Sequence, residues 1–119
     1  MSYVDGFVIV IPTKNLKAYR RMATQAARVW MTYGAIDFKE CVADDLAVPM
    51  GMPFTKLAKS KKGETILFSF IVFKSRAHRD RVNAQVMKDP VLAEFCTIND
   101  MPFDLKRMAY GGFKVLVQG

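Results

Sequence analysis

Hydrophobic positions along this chain follow two periods, one of strands and one of helices. From Glu64 to Lys74 the run E-T-I-L-F-S-F-I-V-F-K is rich in β-branched and aromatic residues and reads as a strand. Strand side chains alternate between faces. Ile66, Phe68, Phe70 and Val72 therefore share one face, and Leu67, Ser69, Ile71 and Phe73 the other. Tyr3 to Ile11 is a second two-faced strand, with Val4, Val8 and Val10 opposed to Tyr3, Asp5, Phe7, Ile9 and Ile11. Pro12 ends it, because proline has no N–H to give a ladder. Both faces of both strands are largely apolar, so both need cover. The helices of a small domain cover one face, and the other calls for something more.

Between these strands, Asn15 predicts a helix N-cap, with the helix running to about Tyr33 and stopped by Gly34. Leu16, Tyr19, Ala23, Ala26, Ala27 and Trp30 recur at helical spacing and predict its buried stripe, while Lys17, Arg21, Gln25 and Arg28 fall outside. Ala35 to Ala43 predicts a second strand. Its mixed face of Ile36, Phe38, Glu40 and Val42 suits an edge or a pocket wall. Leu46 to Gly63 is long for a connection, and loops of that length serve as lids, binding loops or mobile segments.

Ser75 predicts the cap of a second helix over Arg76 to Met87, with Val82 and Val86 inward and His78 beside them. Asp89-Pro90 breaks it, and Val91 to Cys96 predicts a short helical turn burying Leu92, Phe95 and Cys96. Met101 to Asp104 reads as an irregular turn. Lys106 to Val117 predicts the last strand, where Gly111-Gly112 signals a bulge or a close backbone approach. The order β-α-β-β-α-β is the ferredoxin-like arrangement: an α+β fold with an antiparallel sheet, helices on one face, and a single domain over residues 1–119.

Composition narrows the class. With 119 residues, 51% of them hydrophobic, the chain is long enough for one core and too apolar for disorder. No apolar run reaches the ~18 residues of a membrane span, so no membrane partner is expected. The N-terminal M-S-Y-V-D-G-F lacks a secretory pattern, and two cysteines, Cys41 and Cys96, fit a reducing, cytoplasmic setting. One histidine and no C-x-x-C argue against a zinc site, and no metal is expected. Neither a phosphate-binding glycine loop nor a dinucleotide fingerprint is present, and Ser69 lies within a strand rather than on a nucleophile elbow. No motif calls for a cofactor.

The net charge of +7 can attract nucleic acid or anionic ligands, but the plainer reading is a soluble surface bearing excess lysine, since the lysines and arginines are spread over helices and a loop. Polar residues on otherwise apolar strands are the candidates for chemistry. Asp5, Glu40, Glu64 and Arg107 can converge across neighbouring strands, with Arg107 the natural partner of a buried carboxylate. A pocket would then gather Asp5, Glu40, His78 and Arg107. The preferred reading of the charged groups is nevertheless a structural ion pair or exposure at strand ends, and of His78 a packed, hydrogen-bonded residue.

Phe68, Phe70 and Phe73 also resemble the aromatic spacing of RNA-recognition sheets. However, Ile66-Leu67 stands where a basic residue and glycine should open that motif, and Val8 and Val10 stand where another stacking aromatic would. No sequence-specific RNA binding is expected, only weak association that salt removes.

Several short matches run through nearly the whole chain: Y-V-D-G-F at Tyr3 to Phe7, G-A at Gly34-Ala35, E-C at Glu40-Cys41 and D-D at Asp44-Asp45. They continue with E-T-I-L-F-S-F at Glu64 to Phe70, M-P-F-D at Met101 to Asp104, K-R-M at Lys106 to Met108 and G-G-F at Gly111 to Phe113. In these the chain resembles the YbaA-like family of bacterial proteins. The resemblance implies the dimeric α/β-barrel superfamily, in which two ferredoxin-like subunits pack sheet against sheet, and it supplies no reaction. The leading expectation is a homodimer, with Val8, Val10, Phe68 and Phe70 as interface candidates and the sheet face left open. The alternative is a small-molecule-binding enzyme, such as a cofactor-independent monooxygenase, with its pocket between sheet and helices near the long loop.

Overall fold

Strands β1 (Tyr3–Pro12) and β3 (Glu64–Phe73) form the centre of the sheet in the computed structural model, which describes residues 2–95 and 101–119. They run antiparallel, with Tyr3 opposite Phe73 and Pro12 opposite Glu64. Strand β2 (Asp37–Val42) joins the free side of β3, and β4 (Ala109–Lys114) joins the free side of β1. The order is β2-β3-β1-β4, antiparallel throughout, which is the ferredoxin-like sheet. The helices are α1 (Leu16–Thr32), α2 (Phe54–Ala58), α3 (Arg76–Val86) and α4 (Pro90–Phe95).

Alternation decides what packs where. Tyr3, Ile9, Ile11, Leu67, Ile71 and Phe73 turn towards the helices. One half of the core joins Tyr3, Ile71 and Phe73 to Val29, Val82, Val86 and Leu92. The other joins Ile9, Ile11 and Leu67 to Tyr19, Ala23 and Phe103. Phe73 is 0% exposed, so it belongs to the core and cannot serve as a stacking surface. The opposite, helix-free face carries Val4, Val8, Val10, Ile66, Phe68, Phe70 and Val72, following the β1–β3 register. Phe113 of β4 joins that face, its ring lying over Gly6 and Gly111, which face each other across the ladder.

The long connection departs from its expected place. Its helix α2 packs over one end of that second face, which is otherwise free of helices among the described residues, and there the Phe54 ring meets Phe68 edge-on at 6.4 Å between centroids. Phe54 and Phe68 there line a small cleft with Cys41 and Ile66. The segment is therefore not beside the helix-side pocket. Val10 and Ile66 are buried beneath this end of the sheet, while Phe68 remains 46% exposed.

Other departures have local causes. Asn15 closes a 3-10 turn at Thr13–Asn15 and makes no cap; its amide donates instead to the Pro102 carbonyl at 2.9 Å. Ser75 does cap α3, accepting the His78 N–H at 3.1 Å. The last strand is shorter than expected because Leu105–Arg107 forms a 3-10 turn capped by Asp104, which removes Arg107 from the sheet. No bulge forms at the paired glycines, since β4 pairs with β1 residue for residue from Ala109 to Lys114. Their role is close approach: a Cβ on Gly112 would fall 2.3 Å from the Tyr3 hydroxyl and 2.8 Å from an Arg79 nitrogen. The expected burial of Cys96 lies outside the described residues, as does that of the Phe95 side chain.

Candidate functional site: the groove between α1 and β2

A groove of about 960 Å³ opens on the helix side, between α1 and the edge strand β2. Tyr19, Ala23 and Ala27 form its helical wall, Phe38, Glu40 and Val42 its strand wall, and Leu67 lies at its base. The alanines explain the opening. On this stretch of α1 the side chains facing the sheet are short, and among the described residues no strand lies beyond β2 to close the gap.

Inside, the Tyr19 hydroxyl donates to Glu40 Oε1 at 2.7 Å. Tyr19 is buried, and burial together with the neighbouring carboxylate pushes its pKa well up, so it remains a donor. Glu40 is exposed as a residue, but desolvation along the groove wall raises the pKa of its carboxyl, against the lowering effect of hydrogen bonds from Tyr19 and Ser69. Ser69 sits directly opposite Glu40 in the β2–β3 register. A carboxylate offers about four acceptor positions, so Glu40 can hold Tyr19 and still accept from a ligand. It is the site's general-base candidate: more basic than an ordinary carboxylate, in an apolar setting.

A second polar cluster lies under β1. Asp5 is 1% exposed, with Arg79 Nε 3.7 Å from its Oδ1. Asn83 donates to its Oδ2 at 3.3 Å, and Trp30 Nε1 donates to the Asn83 amide oxygen at 2.9 Å, fixing which way that amide points. Arg79 also donates to the Tyr3 hydroxyl at 3.1 Å and lies over the Tyr3 ring at 4.9 Å. Burial raises the Asp5 pKa, with Asn83 and Arg79 opposing it. Among the described residues Asp5 Oδ1 and Arg79 Nε have no hydrogen-bond partner, so this pair is an ion pair without full satisfaction.

The four residues expected to share a pocket do not meet. Glu40 lies in the groove, and Asp5 belongs to the Arg79 cluster. His78 accepts the Lys74 backbone N–H on Nδ1 at 3.0 Å, stitching the end of β3 to α3, and its ring meets Phe73 edge-on. Desolvation, then Lys74 and Arg81, lower its pKa and favour that neutral acceptor state. Arg107 pairs with Glu64 rather than with Asp5, through Nη1–Oε2 at 2.6 Å and Nη2–Oε1 at 2.9 Å.

Sequence reasoning does not pick out Tyr19, Arg79 and Asn83 as polar partners. For Tyr19 a signal exists, since a tyrosine on a buried stripe needs an acceptor for its hydroxyl. Arg79 has none, because its position on α3 gives no hint of which strand lies beneath.

The Glu64–Arg107 pair makes a direct acid test. Its hydrogen bonds, with that from the Lys61 N–H, hold the Glu64 pKa at about 2, below its ordinary 4.5. A depressed carboxylate contributes stability that is complete above its unfolded pKa and is lost as pH falls through the folded value. Glu64→Gln is therefore expected to flatten the decline in urea midpoint from about pH 5 down to about pH 2. An unchanged slope would remove this pair from the acid response.

Among the described residues no group of three or more His, Cys, Asp or Glu side chains comes together as a metal site would require, and no helix is long and apolar enough to cross a membrane. Two solved structures share the fold at low identity. One is a "Putative antibiotic biosynthesis monooxygenase" from Nitrosomonas europaea, with TM-score 0.60 and 12% identity over 97% of this chain and 90% of that one. The other is an uncharacterized NIPSNAP domain protein from Burkholderia xenovorans, with TM-score 0.56 and 10% identity over 97% and 94%. By sequence, the chain is 40% identical over 117 residues, 98% of both chains, to the uncharacterized protein YbaA of Escherichia coli K12, with the same identity to that of Shigella flexneri. The family model described as "Protein of unknown function (DUF1428)" matches residues 2–105. With its ferredoxin-like sheet and these matches along nearly its full length, this chain belongs to the bacterial YbaA-like, DUF1428 family.

Proposed function

We propose that this chain binds a small molecule in the α1–β2 groove, with Glu40 accepting a hydrogen bond or proton from it while Tyr19 holds Glu40 in place. The observation that carries this is the 2.7 Å Tyr19–Glu40 bond set into a largely apolar groove of about 960 Å³. Binding sites commonly combine apolar walls with a few convergent polar groups. One fold neighbour is named as a monooxygenase, and carrying that activity over would be analogy of fold alone. The residues themselves support binding and acid–base work. Ligand-observed NMR with a panel of small aromatic alcohols and acids is the test. Specific binding that Ala27→Trp blocks is expected; its absence, or its indifference to that variant, overturns the reading.

The scaffold that supports this best is a homodimer joined through the helix-free sheet face, in a cytoplasmic setting to which the free thiol of Cys41 is suited. What favours it is a run of Val8, Phe70 and Val72 bordered by Phe68 and Phe113, the last 63% exposed. Phe68 and Phe70 lean on each other at 6.2 Å between centroids with valines at their side, an arrangement better suited to another sheet than to stacked bases. Sedimentation equilibrium at micromolar concentration should give twice the 13.5 kDa chain mass. A monomer mass would count against the dimer.

A further inference from the structure

We infer that the groove takes an amphipathic anion: an apolar body bearing an acidic group and a hydroxyl. This rests on the reading of the groove as a binding site and adds the class of its ligand. Helix α1 has four cationic residues, Lys17, Arg20, Arg21 and Arg28, and no aspartate or glutamate in its sequence LKAYRRMATQAARVWMT. Three of the four, Lys17, Arg20 and Arg28, line the groove. Among the described residues none of these three has a carboxylate within 4.0 Å. A solvated helix face ordinarily mixes both signs, and a one-sided row of cations along a cleft raises the local concentration of anions.

The row is also correctly spaced to act on a single ligand. Lys17 and Arg20 are three residues apart and so lie on neighbouring turns of one face. Arg28 is eight residues beyond Arg20, about 12 Å along the axis. Cations thus flank the short stretch of wall formed by Ala23 and Ala27.

Glu40 completes the pattern. Among the described residues it has no cation within 4.0 Å, and its hydrogen-bond partners are the neutral hydroxyls of Tyr19 and Ser69. The groove therefore presents a hydrogen-bond acceptor on the strand wall and positive charge on the helix wall, separated by apolar surface. A neutral hydrocarbon would leave both walls unused, and an organic cation would be repelled by the helix. A hydroxylated carboxylic acid satisfies both: its hydroxyl donates to Glu40, its ring or chain lies against Ala27 and Phe38, and its carboxylate meets the arginines.

The probes are a hydroxynaphthoate and the matching naphthol, titrated against the whole chain by NMR at low and at high salt. The acid should bind about tenfold more tightly than the naphthol at low salt, in line with a few solvent-exposed ion pairs. Lys17→Gln/Arg20→Gln/Arg28→Gln should erase that gap by weakening the acid, as should high salt. These three residues are exposed on the helix surface, so the variant is expected to keep its fold. Equal affinity for both probes, untouched by the charge variant, overturns the anion assignment and leaves the groove reading in place. Binding of neither probe, or binding that survives both Ala27→Trp and Thr24→Trp, overturns both.

Discussion

Phe68→Asp is expected to abolish the proposed homodimer, leaving a chain that sediments as a monomer. Phe68 lies near the middle of β3, on the helix-free face, with Val8 and Cys41 as its ladder neighbours. In a two-fold interface every substitution occurs twice. Fully burying one phenylalanine contributes roughly 1.5–3 kcal/mol; Phe68 is already about half buried in the single chain, so the two rings together account for about 1.5–3 kcal/mol, before the cost of desolvating two carboxylates. The dissociation constant should rise by at least about tenfold. The monomer's own core does not depend on this ring, which is 46% exposed and touches the Phe54 and Phe70 rings. Circular dichroism should therefore keep the signature of the sheet and the longer helices, with α2 alone losing its contact to Phe68. A dimer that survives Phe68→Asp would place the interface elsewhere.

The second large effect belongs to Arg79. Arg79→Ala leaves the Asp5 carboxylate buried with no cation beside it and only the neutral donors Asn83 and Tyr110, among the described residues, to hold it, and breaking a buried ion pair from one side typically costs about 3–5 kcal/mol. The 3.7 Å separation and the missing hydrogen bonds put the expected loss at the lower end, near 3 kcal/mol in urea unfolding. The pH dependence identifies the cause. Asp5 already has a folded pKa raised above 3.8, mainly by desolvation, so the fold binds its proton more tightly than the unfolded chain does. Stability contributed in this way is present below the unfolded pKa and declines as pH rises through the folded value. Without Arg79 the folded pKa climbs further, and the decline extends to higher pH. The deficit of Arg79→Ala should thus be large at neutral pH and shrink in acid, where Asp5 is protonated. A deficit constant with pH would mean that Arg79 acts through its packing on Tyr3 instead. Adding Asp5→Asn should restore much of the loss, because it removes the unpaired charge.

These two expectations stand on different grounds in the sequence. The alternation in Tyr3–Pro12 and Glu64–Phe73 specified which residues share a face, because a one-residue slip would exchange the two sets. It paired Phe68 with Phe70 and set Phe73 apart from both. The same two-residue period placed Phe38, Glu40 and Val42 together on β2, and the helical period placed Tyr19, Ala23 and Ala27 on α1. Both walls of the groove were therefore written in local patterns. The Ser75 cap was also legible, because a serine before a helical run can satisfy a free N–H three residues on.

What the local patterns leave open is which wall meets which, and that is where the polar partners differ from expectation. Asp5 received Arg79 because the crossing of α3 over β1 brings position 79 above position 5, a separation of 74 residues that no period encodes. Arg107 received Glu64 because a 3-10 turn lifted it out of the last strand and towards the start of β3. Asn15 left its capping role because the Pro102 carbonyl, 87 residues away, offered its amide an acceptor. The side of the sheet taken by α2 was likewise settled by packing of Phe54 against Phe68. Backbone period and local propensity set the main strands and helices, their order and the side chains each presents to either face; α2, within a stretch read as a loop, is the exception. The packing of the folded chain set the ion pairs, the seat of the long connection and the union of Tyr19 with Glu40. A long-range polar contact depends on helix placement to within an ångström or so, and that placement is set by the packing of the whole core at once.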